Sequence, residues 1–215
     1  MSSRCDDWLD DFGQLEARWQ GCHEAVKRAF DLWASNAAAW TASISDVAPD
    51  ATPDLGAATT LQATIAALPK GRTTSGGSAE RPGRQAYLNA EEALRVANEQ
   101  LQAATQILQD MSKLADAAAA AAAALPPEEA LDRDPHGCCL SPTDVAQALL
   151  SKLCMYQSEC GVLQAIVGAA TYDLPAETAT RFSLCLELRP SIDDVEFARI
   201  AQAAQLSREL RASIP

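Results

Sequence analysis

The chain reads as an all-α protein: a long antiparallel coiled-coil-like helical pair followed by a C-terminal three-helix unit. Three observations predict this. An apolar stripe of Trp8, Phe12, Leu15, Trp19, Cys22, Val26, Phe30, Trp33, Ala37, Trp40 and Ile44 advances in steps of three or four without a miss. Such steps place every named side chain on one face of an α-helix. A second stretch repeats in heptads, with Tyr87, Leu94, Leu101, Leu108 and Ala115 at one seam position and Ala90, Ala97, Ala104 and Met111 at the other. Alternating runs of Val, Ile, Thr or aromatic residues bounded by turns, the mark of strands, are almost absent.

The first helix is expected from about Asp7 to about Asp46, a span of ~60 Å at ~1.5 Å per residue. A helix that long cannot bury its stripe against itself and needs partner helices. Pro49 and Pro53 with their aspartates end it. A shorter helix follows, Leu55 to Leu68, burying Leu55, Thr59, Ile65 and Leu68. The next segment, Pro69 to Arg84, holds four glycines and two prolines and no aliphatic residue larger than alanine, so residues 69–84 read as a mobile loop. The heptad helix then runs from about Gln85 to Leu125, its large and small seam residues suited to an antiparallel partner with a bulky face. The tryptophan-bearing first helix has that face. Residues 1–125 thus form a helical hairpin, and Pro126, Pro127 and the acidic stretch to Pro135 open a linker over 126–140.

Residues 141–215 form the C-terminal unit. Ser141-Pro142-Thr143-Asp144 is a helix start, combining a hydroxyl cap, proline at the first helical position and a first-turn carboxylate. The helix it opens should run to about Ala170 with Val145, Leu149, Leu153, Tyr156, Cys160, Leu163 and Val167 inward. A turn at Tyr172 to Pro175 leads to a helix containing Phe182, Cys185 and Leu188. Ser191 to Asp194 caps a last helix carrying Val195, Ile200 and Leu206.

Composition narrows the function. The 215 residues are 48% hydrophobic but only 5% aromatic, and the formal net charge is -12. That balance argues against direct nucleic-acid binding, which places Lys and Arg in stripes that release counterions. The only basic concentration, Lys70, Arg72, Arg81 and Arg84, falls in the Gly/Ser-rich loop and reads as a solvated linker. The eight alanines 117–124 with Leu125 fall far short of the ~20 apolar residues that span a bilayer, and the acidic start is unlike a signal peptide. No membrane association is expected, and the placement implied is cytosolic or nuclear.

Seven cysteines, an odd number mostly at core spacings, do not make a disulfide framework. His136-Gly-Cys138-Cys139 has soft donors but lacks a second ligand pair, so no metal is expected. His23 sits beside the first stripe as a boundary residue. Nucleotide loops, zinc-protease and serine-hydrolase motifs and paired Cys motifs do not occur. Adjacent acidic pairs on helices diverge by ~100° and do not converge on a substrate. The chain reads as a non-enzymatic protein without cofactors that binds other proteins.

Within the third unit, Leu153-Cys154-Met155-Tyr156-Gln157-Ser158-Glu159 resembles the Leu-x-Met-Tyr-x-x-Glu of the cyclin-dependent kinase 2-interacting protein family. The resemblance extends in layout over Leu149 to Leu210, to the Asp7-Trp8 pair that opens the first helix, and to the Glu- and Leu-rich stretch Tyr87 to Leu114. The family's basic residues after the Met-Tyr pair are replaced by Gln157, Ser158, Cys160 and Gly161. The resemblance implies an adaptor of nucleus and cytoplasm. Its partners would be AAA+ ATPase subunits, in a hetero-oligomer that matures large ribosomal subunits, and a cyclin-dependent kinase, with a link to DNA replication and the cell cycle. The alternative is a structural coiled-coil subunit of a tethering, microtubule-associated or kinetochore-like complex. Partner-binding candidates are Met155 and Glu159, four apart on a side expected to be exposed, together with Tyr156, and Trp8 and Trp19 on the long helix.

Overall fold

The computed structural model describes residues 2–45, 80–126 and 140–213. Five helices account for them: α1, Ser2–Ser45; α2, Glu80–Ala123; α3, Pro142–Gly168; α4, Ala176–Leu188; and α5, Asp194–Ser213. Among the described residues there is no strand, and no helix is long and apolar enough to cross a membrane. The expected helix over 55–68 and the linker over 127–139 lie outside the described residues. Of the expected mobile loop, residues 80–84 are helical. Pro82 falls in the first turn of α2, where a missing N–H removes no helical hydrogen bond.

α1 and α2 pack along one another and run antiparallel. Trp40 near the end of α1 meets Tyr87 near the start of α2, with ring centroids 5.4 Å apart. Asp11, Leu15 and Arg18 near the start of α1 line a groove with Asp110, Lys113 and Ala117 late in α2. The stripe of α1 faces inward as its spacing requires: Phe12, Trp19, Val26, Phe30 and Trp33 are fully buried. Opposite them α2 contributes Ala90, Ala97, Ala104, Met111, Ala115 and Ala118, each with no exposed surface. Small residues let two backbones approach while the large rings of the other helix fill the remaining volume. The approach is tight at the end of the pair as well. Gly83 is buried against α1, and a Cβ there would fall on Ser43 Oγ and 3.0 Å from Ser43 Cβ, whose hydroxyl is already donated to the Trp40 carbonyl.

α3 starts as its sequence specifies. Ser141 Oγ accepts the Asp144 N–H at 3.1 Å, the Asp144 carboxylate accepts the Ser141 N–H at 3.1 Å, and Pro142 stands in the first turn. All seven of its expected inward residues are buried, joined by Ala146, Glu159 and Ile166. They pack on α2 and α1, and one apolar cluster runs from Cys5 on α1 through α2 and α3 to Leu186 on α4. The cluster thus includes residues on both sides of the expected linker 126–140. α3 spreads its apolar surface on the hairpin, and α4 and α5 pack against α1. Among the described side chains, Leu186 is the buried residue of α4, Phe182 and Cys185 pack on the core and Leu188 is exposed, while α5 buries Ile200 and Ala204 and exposes Val195 and Leu206. Short helices bury only a narrow stripe.

Two predictions follow from this packing. The indole N–H groups of Trp19 and Trp33 are buried without an acceptor among the described residues. Trp33→Ala should therefore lose ~3–5 kcal/mol of stability in denaturant unfolding, whereas Trp33→Phe, which also deletes the unpaired donor, should lose far less. Gly83→Ala should lower the midpoint although alanine is the better helix former, because the added methyl displaces Ser43.

Candidate functional site

A polar cluster lies inside the helices. α1 places His23 one turn beyond Trp19, and α3 places Glu159 three residues beyond Tyr156 on the same inward face. His23 is 1% exposed and Glu159 has no exposed surface. His23 Nε2 faces Glu159 Oε1 at 3.6 Å, just beyond hydrogen-bond distance. The second carboxylate oxygen, Oε2, accepts the backbone N–H of Ser191 at 3.0 Å. Trp19 closes the cluster with its ring centroid 5.4 Å from His23 and 4.7 Å, edge-on, from Tyr156. At its margin Lys152 donates to Glu16 at 2.7 Å, both side chains mostly covered.

The chain reversal that delivers Ser191 depends on Arg189, the C-cap of α4, at φ 46°. This left-handed conformation is disfavoured for a side chain, and more so before Pro190. The turn is held by the Ile192 N–H on the Arg189 carbonyl at 3.0 Å and by Glu159 from below. Burial pushes the Glu159 pKa up, but nearby His23 and the Ser191 donors pull it down further, so it stays below its ordinary 4.5. Burial also pushes Tyr156 above its ordinary range, with Glu16 adding to the effect. The cluster can hold a charge in the interior and pin a turn. Solvent reaches neither His23 nor Glu159, so a dissolved substrate meets neither group.

The structure redistributes the predicted partner-binding residues. Tyr156, Glu159 and Trp19 are interior, while Met155 and Trp8 are half-buried, Trp8 packing on the core. The expected exposed pair of Met155 and Glu159 is corrected. Glu159 stands three after Tyr156 and four before Leu163, on the inward stripe itself. His23, expected at a boundary, is interior because it stands four after Trp19 and three before Val26, adjoining the inward stripe of α1. The signal was available as two charged-capable residues at inward phase, but no local pattern says that they meet.

Elsewhere, Leu184 and Leu188 share one face of α4 at 55% and 66% exposure. Between α2 and α3 an open groove of about 340 Å³ is lined by Asn98, Gln102, Gln106, Gln109 and Gln164 above Leu101 and Val167. Burial pushes the thiols of Cys22 and Cys160 up, which leaves them protonated and unreactive. Among the described residues no group of three or more His, Cys, Asp or Glu side chains is placed to hold a metal. His136, Cys138 and Cys139 lie outside them.

A carboxylate whose pKa is lowered by folding adds stability that is present above its unfolded value and lost as pH falls through the folded one. Wild-type protein should therefore lose stability below about pH 4.5. Glu159→Gln should be less stable than wild type at pH 7 and show a flatter loss over that acid window, measured by urea unfolding at a series of pH values. A parallel acid limb in the variant would exclude the Glu159 contribution.

Against this fold and cluster, comparison with known proteins finds no family model, no curated protein and no solved structure that matches the chain.

Proposed function

We propose that the chain is a non-enzymatic helical adaptor, a subunit of a hetero-oligomer built around AAA+ ATPase subunits, of the kind implied by its resemblance to the cyclin-dependent kinase 2-interacting protein family. In this reading it acts in maturation of large ribosomal subunits, in nucleus and cytoplasm, with a cyclin-dependent kinase as a further partner through which it connects to replication and the cell cycle. The observation that carries a protein-binding role is the α4 face. Leu184 and Leu188 are one turn apart and more than half exposed, on a chain with a formal net charge of -12. Adjacent exposed aliphatic side chains are the kind of contiguous apolar surface that marks protein contacts. The interior placement of Tyr156 and Glu159 moves the proposed interface away from the short motif and onto this neighbouring helix. The ~66 Å length of the 44-residue α1 supports the coiled-coil structural subunit as a second reading.

Affinity capture with the full chain separates the two. Recovery of AAA+ ATPase and pre-ribosomal proteins supports the adaptor, and recovery of cytoskeletal or tethering subunits supports the structural reading. Leu184→Glu with Leu188→Glu should leave the melting temperature within a few degrees of wild type, since both side chains are already in solvent, and reduce recovery of the ATPase subunits about tenfold or more. Undiminished recovery by the folded double mutant would remove α4 from the interface.

A further inference from the structure

The groove between α2 and α3 is built from one kind of polar group. Asn98, Gln102, Gln106 and Gln109 stand on its α2 side and Gln164 on its α3 side, all five exposed. Beneath them Leu101 and Val167 are buried and form an apolar floor. None of the described residues that line the groove is charged, on a chain with a formal net charge of -12. Three of the carboxamides have a partner within the chain: Asn98 Nδ2 donates to the Leu94 carbonyl at 2.8 Å, Gln164 Nε2 stands 3.8 Å from Cys160 Sγ, and Gln106 is bonded to Asp110. Gln102 and Gln109 have none among the described residues, and each keeps a donor pair and an acceptor for a ligand. At the α3 edge of the groove stands Gly168, where a Cβ would meet no atom within 4 Å.

We propose that this groove binds an extended, uncharged peptide segment, whose backbone pairs with the carboxamides on the two sides while every second side chain rests on Leu101 and Val167. An extended chain sends its side chains up and down and its N–H and C=O groups sideways, which is the division of the groove into apolar floor and polar sides. A carboxamide carries N–H and C=O together and so matches either backbone group. The spacing agrees: Asn98, Gln102 and Gln106 follow at four-residue steps, ~6 Å along α2, and one face of an extended chain repeats every ~6.6 Å. From Asn98 to Gln109 the groove is ~16 Å long, enough for about five extended residues. The other occupants fit less well. A helix has already spent its backbone groups on itself, and a nucleic acid or a charged peptide finds no countercharge in the lining. The groove shares no residue with the α4 face, so the proposal stands independently of the adaptor reading.

The probe is acetyl-Ser-Val-Ser-Val-Ser-Val-amide, an uncharged chain of the right length, added to the full nitrogen-15-labelled protein up to about 5 mM, where a Kd near 1 mM approaches saturation. The readout is the side-chain amide signals of Gln102, Gln109 and Gln164 in the NMR spectrum. These signals should shift saturably, with an affinity that changes less than about twofold between 0.05 and 0.5 M salt because no charge is involved. Gly168→Leu places a side chain in the open edge of the groove and should melt at or above wild type, since leucine is the better helix former, yet bind the probe at least about fivefold more weakly. Gln102→Leu, which keeps the volume and removes the hydrogen-bonding group, should lose a similar factor, and N-methylation of the probe at its serines should abolish binding. Carboxamide signals that stay in place at about 5 mM probe overturn the proposal. So does binding that survives N-methylation, that is unchanged in both folded variants, or that collapses as salt is raised.

Discussion

The contact between a helix of rings and a helix of alanines carries the rest of the architecture. Trp19, Trp33, Phe12 and Phe30 from α1 meet a surface of α2 on which Ala90, Ala97, Ala104, Ala115 and Ala118 have no exposed area. Neither helix has a way to bury its stripe alone, and neither pattern works with a copy of itself. Two ring-bearing helices would be held apart, and two alanine faces would bury too little area to offset the loss of chain entropy. The pairing of unlike faces supplies both close approach and burial. α3 is then laid along the resulting hairpin, and α4 is seated through Phe182 beside Phe30, 6.2 Å between centroids.

The His23 and Glu159 cluster sets the register of this second layer. An apolar stripe slides by one turn at modest penalty, because one aliphatic residue resembles the next. A buried carboxylate does not slide, since displacement would leave a charge in the interior without its histidine and its backbone donor. The same carboxylate fixes the reversal at Arg189 to Ser191, so the position of α5 is tied to the pairing of α1 with α3. The stack of Tyr87 on Tyr172, 5.4 Å between centroids, with the Tyr172 hydroxyl donated to Glu91 at 2.8 Å, closes the opposite end of α3 onto α2.

How much of this was readable in the sequence follows from the range of each interaction. The α1 stripe, the α2 seam, the inward face of α3 and its Ser141 cap are local, periodic features, and the structure keeps each of them. The start of α2 at Glu80 was hidden because Gly83 reads as a loop residue, whereas it is helical for the sake of a neighbour, Ser43, forty residues away. The packing of α3 is likewise not local: the prolines of 126–140 signal a break between helices, but where α3 packs depends on residues far away in the chain. The candidate site suffered most. Glu159 reads as exposed from its place four after Met155, but it also stands three after Tyr156 on the inward stripe, and that second relation decides its burial. The outer leucines of α4 have no periodic signature, since a helix of 13 residues carries too few turns to establish one.

An interior built this way has an uneven tolerance to genetic change. On α1 the sensitive direction is loss of volume, because each ring fills space that nothing else reaches. On α2 the side chains at the closest approach are already as small as a chiral residue allows, so shortening them is hardly possible and enlarging them is the hazard. Replacement of Ala97 or Ala104 by valine, a conservative exchange in most helices, pushes two helices of 44 residues apart along their length. Selection on this chain therefore acts on the two faces with opposite sign: one is guarded against erosion and the other against growth, and an enlarged alanine is most readily accommodated where a ring across from it shrinks in the same lineage.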